Sequence, residues 1–332
     1  MVIQVMIMIK IGDLKVESKV FTAPMAGVTD YPYRQVLREL GAELVFTEMV
    51  SSMGLLQGNC NTHDLIEFDR QGGLIGVQIF GDEPAVVAEA ANMVEEKYQP
   101  DLIDLNFGCP APKIVNNGAG SALMQKPDKV YEMVSETVDK CSLPVTVKIR
   151  KGWNDDYLTG LEVARAAEEA GAALLTVHGR TRKEFYSGEA DWSIISDIAD
   201  QLEIPVIGNG DVFSAEAAMD MINKTGVNGV MVARGIQGYP WLVNEIDYFL
   251  KEGIKAEKPN YKERIEMAIK HLKMAVSYYG EESAVPLMRK HLAWYIKGMP
   301  YSARQRDEIN SISDKGKLID SLYEYLKLIQ DN

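Results

Sequence analysis

The sequence predicts a (β/α)₈ barrel followed by a small all-helical domain. Two regularities predict the barrel and a third predicts the appendage. Short apolar, β-branched runs alternate with helical segments eight times over roughly 230 residues, close to the about 250 that such barrels usually take. Conspicuous polar residues fall at or just past the carboxyl end of each run. Beyond Tyr239-Pro240-Trp241 the apolar residues recur every three or four positions instead.

The first apolar stretch, Met1 to Lys10, is too short to span a bilayer and has neither a basic leader nor a small-residue cleavage site. It reads as a strand entering Lys10–Lys15, in a hairpin that closes one end of the domain. The eight barrel strands are expected near Lys19–Ala23, Glu43–Thr47, Leu74–Phe80, Asp101–Asn106, Val145–Ile149, Ala173–Val177, Ile204–Ile207 and Gly229–Ala233. Helices are expected at Pro32–Leu40, Pro84–Tyr98, Pro127–Lys140, Gly160–Ala170 and Ala215–Asn223, with proline starts and glycine stops such as Gly41 and Gly171. A doubly wound sheet is the competing architecture, but no G-x-G-x-x-G loop occurs. Lys251 to Pro259 is polar and reads as a linker. After it, Ile265, Ala268, Ile269 and Leu272, then Leu287, His291, Trp294 and Tyr295, then Ile319, Leu322, Leu326 and Ile329 each fall on one helix face. The division expected is a barrel over 1–250 and three or four helices over 251–332.

Composition bounds the function. The chain is 46% hydrophobic and 25% charged, the balance of a soluble globular protein. Cys60, Cys109 and Cys141 are too few and scattered for a disulfide framework, which points to a reducing, cytoplasmic setting. Four dispersed histidines form no ligand-spaced set, so no metal is expected. No later segment is apolar for long enough to cross a membrane. The net charge of −13 is uneven: from Glu245 onward 15 basic residues face 14 acidic ones, and the acidic excess lies in the barrel. That balance neither supports nor excludes a nucleic-acid partner.

The strand-end residues carry the chemistry. They are Pro24-Met25-Ala26-Gly27, Glu48, Gln78, Asn106 with Cys109, Lys148, His178 with Arg180, Asn209-Gly210-Asp211 and Ala233-Arg234-Gly235. In a barrel all eight strand ends open on one mouth, so these residues converge. Strand alternation puts Thr146, Lys148 and Arg150 on one face; a lysine aimed into the mouth is costly unless it meets an anion, either a ligand or a carboxylate such as Asp104. Gln78 could bind the polar edge of a flat heterocycle or serve as a satisfied core amide. Loops after the seventh and eighth strands often form the barrel's phosphate site, and here they hold Asn209–Asp211 and Ala233–Gly235, with Arg234 adding charge. Cys109, presented between Gly108 and Pro110, could donate a proton or act as nucleophile, although a lone cysteine is more often inert packing. The loop from His178 to Gly188 gathers Arg180, Arg182 and Lys183 for phosphates and Tyr186 for stacking on a base; a solvated charged loop would look the same.

As a set, these segments resemble the tRNA-dihydrouridine synthases of bacterial type. The similarity rests on Ala23–Asp30, Val77–Gly81, Asn106–Pro110, Val147–Arg150, Val177–Arg182 with Tyr186–Gly188, Gly208–Asp211, Ala233–Gly235 and Arg289–Gly298, in the family's order. The resemblance implies FMN as cofactor, NADPH or NADH as reductant and tRNA as substrate. It implies Pro24, Met25 and Ala26 near the flavin ring, Gln78 and Lys148 at its pyrimidine edge, and His178 alongside. Asn209, Gly210, Asp211, Ala233 and Arg234 would hold ribityl and phosphate. Cys109 would protonate the uracil, with Asn106 and Arg180 orienting the base and Arg182 and Tyr186 assisting. The helical domain would grip a tRNA whose uridine is flipped out. The alternatives are an FMN barrel acting on a free small molecule, such as a dihydroorotate dehydrogenase or an enoate reductase, and an RNA-binding protein without catalysis.

Overall fold

A computed structural model describes residues 8–330, the side chain of Gln71 excepted. The chain opens with an antiparallel hairpin, β1 (Ile9–Ile11) and β2 (Leu14–Val16), turning at Gly12 with a φ of 60° that glycine tolerates without strain. Ile9, Ile11 and Val16 pack against Phe21, Leu44, Phe46, Leu102, Leu174, Ile207 and Met231, so the hairpin plugs the amino end of the barrel as expected. The part of that expectation covering Met1 to Ile7 lies outside the described residues.

The barrel then runs β3 (Val20–Thr22), α1 (Tyr31–Glu39), β4 (Leu44–Phe46), β5 (Val50–Ser51), α2 (Ser52–Leu56), α3 (Cys60–Asp64), β6 (Leu74–Phe80), α4 (Pro84–Tyr98), β7 (Leu102–Asn106), α5 (Pro112–Val115), α6 (Pro127–Lys140) and β8 (Val145–Gly152). It continues α7 (Gly160–Glu169), β9 (Leu174–Thr181), α8 (Trp192–Ala199), β10 (Val206–Asn209), α9 (Ala215–Thr225), β11 (Gly229–Val232) and α10 (Leu242–Glu252). Its strands pair in parallel in the order β3-β11-β10-β9-β8-β7-β6-β4. β3 and β4 lie side by side at the seam, so the barrel is nearly closed. β5 resumes the line of β4 against β6 after a break at Thr47–Met49, which contains Glu48.

All eight strands fall where the apolar runs place them, and helices α4 and α6 match residue for residue. Gly41 and Gly171 follow their helices with φ of 90° and 96°, the left-handed stops that glycine favours. One difference matters for the site. β8 and β9 extend past their expected ends and stay paired through Gly152 and Thr181 beyond a bulge, so Arg150 and Arg180 belong to strands.

From Gly253 to Asn260 there is neither helix nor strand. Four helices follow: α11 (Tyr261–Tyr279), α12 (Glu281–Tyr295), α13 (Ser302–Ser311) and α14 (Lys315–Gln330). Asn260 and Glu263 form a reciprocal cap at the start of α11, each side chain accepting from the other's backbone N–H. The helices enclose their own core around Ile265, Leu272, Met288, Leu292, Leu322 and Leu326. Met274 and Trp294 pack against the barrel's core, and Met267 packs against both. Among the described residues no helix is long and apolar enough to cross a membrane.

Candidate active site

The carboxyl ends of the strands open on a cavity of about 590 Å³, inside the roughly 300–1,000 Å³ range of small-molecule sites. Cys109 and Lys148 share this cavity, with Pro24, Met25, Ala26, Asn106, His178, Tyr186, Asn209, Gly210, Asp211, Ala233 and Arg234. Of the residues expected at the mouth, Gly27, Glu48, Gln78, Arg180, Arg182, Lys183 and Gly235 do not line it, and Gln78, Arg180 and Arg182 are the ones to which a ligand role falls.

Gln78 is fully buried one layer below. Its amide donates to Asp104 Oδ2 (2.6 Å) and accepts from Asn106 Nδ2 (2.7 Å), while Thr146 Oγ1 donates to Asp104 Oδ1 (2.6 Å). Asn106 passes this order upward. Its Oδ1 accepts from the N–H of Gly108 (3.1 Å) and of Cys109 (2.9 Å). The Cys109 carbonyl accepts from both the N–H and the hydroxyl of Ser121 (3.0 and 2.9 Å). Both sides of the cysteine are therefore pinned, and its thiol points from a fixed turn. Burial alone pushes the carboxyl of Asp104 up to about 6, against its hydrogen bonds from Thr146 and Gln78 and the nearby charge of Lys148.

Burial also raises the Cys109 thiol, outweighing a backbone hydrogen bond and the cations of Arg150 and Lys148. The thiol is neutral near pH 7. Cys141 is buried outside this cavity and Cys60 is exposed on α3.

Lys148 Nζ donates to Asn209 Oδ1 (3.0 Å), and Asn209 Nδ2 donates to the Met231 carbonyl (2.7 Å). No carboxylate pairs directly with this lysine among the described residues. Burial, reinforced by Arg150, brings it down to about 8. His178 is pushed well below its usual range by burial and by the surrounding cations of Lys148, Arg150, Arg180 and Arg234, so its ring is neutral.

Arg180 is 1% exposed and structural in its contacts. It donates to the carbonyls of Ser187 (3.0 Å) and Gly188 (2.6 Å) and to Asp211 Oδ2 (2.7 Å). Asp211 also takes Arg234 Nη2 on Oδ1 (3.0 Å) and the Ala190 N–H on Oδ2 (2.7 Å). Arg182 lies over the Trp153 ring, 4.7 Å from its centre. Strand pairing carries Arg180 inward, and its long side chain turns back to the loop that ends at Gly188.

Sequence reasoning gave no role to Arg150, Met49, Phe185 or Phe213, all of which line the cavity. Arg150 donates to Gly108 O (2.7 Å), Thr181 O (2.8 Å) and Phe185 O (2.9 Å), and no described residue accepts from its Nη2. The signal for it existed, since it shares a strand face with Lys148. Phe213 and Tyr186 are 55% and 54% exposed, and Arg234 lies 5.5 Å from the centre of each ring.

The lining sets three cations, Lys148, Arg150 and Arg234, against one carboxylate, Asp211, in a chain of net charge −13. That donor set suits an anionic ligand. The Pro24–Ala26 wall and the aromatic rim suit a flat ring. A Cβ at Gly210 (φ 129°) would come within 2.6 Å of Ala190 Cβ and 3.2 Å of His178 Cδ2, so the loop keeps the bare backbone. The residues present fit a planar, phosphate-bearing cofactor beside a thiol that holds a proton.

A family model described as "Dihydrouridine synthase (Dus)" matches residues 21–330. A "Probable tRNA-dihydrouridine synthase" of Rickettsia conorii is 39% identical over 98% of this chain and 98% of its own. A "tRNA-dihydrouridine synthase B" of Pseudomonas aeruginosa is 38% identical, again over 98% of each. Among solved structures, histamine dehydrogenase from Rhizobium sp. 4-9 superposes with a TM-score of 0.57 at 14% identity, over 81% of this chain and 50% of that one; the likeness is one of fold.

Proposed function

Since the chain belongs to the dihydrouridine synthase family, we propose that it reduces uridines of tRNA to 5,6-dihydrouridine, with FMN in the barrel mouth and NADPH or NADH as reductant. The observation that carries this reading is the shared cavity of Cys109 and Lys148, a proton-bearing thiol and an unpaired cation ringed by phosphate-suited loops.

FMN bound there would supply the hydride that reduction of the uracil at C6 requires. The chain's residues do the rest. Pro24, Met25 and Ala26 form the wall for the ring. Lys148 holds the anionic edge, with His178, a neutral imidazole, beside it. Arg234, kept in place by Asp211, meets the phosphate together with the Asn209–Asp211 and Ala233 backbone. Gln78 acts from below: it orients Asn106, which in turn fixes Cys109. Cys109 keeps its proton on Sγ until carbanion character develops at C5, then delivers it there. Its raised pKa suits a donor, since a thiolate would have nothing to give. Asn106 and the unbound Nη2 of Arg150 face the base, while Arg180 contributes through the loop it ties down and Arg182 from the rim. Tyr186 offers a stacking surface. The uridine has to leave its stack to reach this depth.

Two experiments test the reading. Purified protein reduced by NADPH should be reoxidised by tRNA lacking dihydrouridine, and neither by orotate nor by enones; the reverse pattern would assign it to free small molecules. Cys109→Ala should keep the flavin and its reduction by NADPH yet lose most dihydrouridine formation. Unimpaired product formation by that variant would refute the proton-donor role.

A further inference from the structure

The tail reaches the cofactor cavity from behind, at two glycines in the neighbouring loops that follow β3 and β11. Gly27 closes the Pro24–Ala26 wall in a left-handed conformation, φ 69°. The start of the wall is tied to Thr29, whose Oγ1 accepts from the Met25 N–H (2.9 Å). At its end, the Gly27 N–H donates to Glu48 Oε1 from the barrel side. From the tail side, the ring of His291 on α12 lies beside the Gly27 backbone. Lys290 Nζ lies 3.1 Å from where a Cβ on Gly27 would stand.

The second wall shows the same helix. Gly238 (φ 69°) follows the Arg234–Gln237 segment, and a Cβ there would lie 2.2 Å from Trp294 C, 2.5 Å from Trp294 O and 2.5 Å from Tyr295 N. The backbone of α12 therefore rests directly on this turn. His291 and Trp294 are three residues apart, one helix face serving both walls.

A buried ring cluster joins the two contacts. His291, 2% exposed, packs edge-on against His271 (4.9 Å) and Trp294 (5.1 Å). Tyr33 stacks on His271 at 5.1 Å and donates its hydroxyl to the Ile236 carbonyl, in the second wall. Burial keeps the His291 ring neutral, and its Nδ1 has no hydrogen-bond partner among the described residues.

We propose that α12 braces the cofactor cavity, with His291 as a positioning residue that holds the Pro24–Gly27 wall through Gly27 while the helix backbone at Trp294 supports the Arg234–Gly238 wall. The inference rests on the FMN reading and extends it: the helical tail, beyond gripping RNA, sets the shape of the flavin site. A preorganised wall lowers the ordering cost of binding, so its loss falls on cofactor affinity.

The test titrates FMN into cofactor-free protein and reads flavin fluorescence and the visible absorption band. His291→Leu should weaken FMN binding by about tenfold or more and alter the band, with tRNA affinity held within about twofold. His291→Gln, whose polar side chain can still stand beside the Gly27 backbone, should restore both. A Leu variant with wild-type FMN affinity and weakened tRNA binding would overturn the brace. Hydrogen exchange of the unaltered protein gives a reading independent of any variant. FMN should increase protection of residues 287–296 as well as 23–29, although α12 does not line the cavity, and unchanged exchange in α12 would overturn the proposal. Wild-type protein that took up no FMN at all would sink the functional reading and this inference with it.

Discussion

Lys148 is a cation held short of its usual stability by burial and by Arg150, and in return it has a hydrogen bond to the Asn209 amide and the weaker pull of Asp104 from the layer below. An anionic ligand reverses that penalty and draws the proton back on. FMN affinity should therefore be highest below pH 8 and fall as pH rises through about 8, where the free protein's lysine loses its charge. A phosphate group completes its second ionisation near pH 6, so titrations between pH 7 and 9.5 isolate the lysine. Lys148→Met should bind more weakly and show a flat profile over that interval; an unaltered slope would take Lys148 out of the ligand's reach. Legibility at this scale was uneven for a physical reason. Strand alternation settles which face a side chain leaves from, and it placed Lys148 correctly beside Arg150. It says nothing about where a long side chain ends. Arg180 leaves its strand and turns back to Asp211 and two carbonyls, while Gln78 spends its amide on Asp104 and Asn106.

Among the elements, the loop from Arg182 to Gly188 depends on Arg180, whose guanidinium crosses its base. Arg180→Ala leaves Asp211 and two carbonyls short of a donor, and breaking such a buried pair typically costs about 3–5 kcal/mol. Chemical denaturation should show a loss of that order, while Arg182→Ala, which removes a ring contact at the rim, should cost under about 1 kcal/mol. The hairpin at the other end makes a second prediction. Ile11 is fully buried against the barrel's inner layer, and Ile11→Ala should lower stability by roughly 2–5 kcal/mol without altering FMN affinity. Strands and long helices were legible because their signals are local: β-branched runs, and proline at the first turns of α4 and α6. Helix α8 went unread, being eight residues long with Asp191 as its cap and no proline or glycine bounding it. The extensions of β8 and β9 went unread because a bulge keeps their pairing going past the last apolar residue.

For the whole molecule, the tail has a core of its own yet lends Met267, Met274 and Trp294 to the barrel's. Shared burial of this kind couples unfolding. Calorimetry should show one transition for barrel and tail together, raised by FMN; at a hundredfold excess over Kd the gain is about 2.7 kcal/mol. Two separated transitions, with only one responding to FMN, would mean that the two parts stand independently. Charge is also a property of this scale. The molecule carries −13 overall, while the lining of the mouth sets three cations against one carboxylate. A polyanion approaching the acidic barrel is repelled, and attraction there begins where Arg150, Lys148 and Arg234 can be felt at close range. Ribosomal and messenger transcripts, far more abundant than any one substrate, would then be poor competitors, because idle encounters end in repulsion. Release of the finished molecule would be hastened by the same field once its base has withdrawn from the cleft.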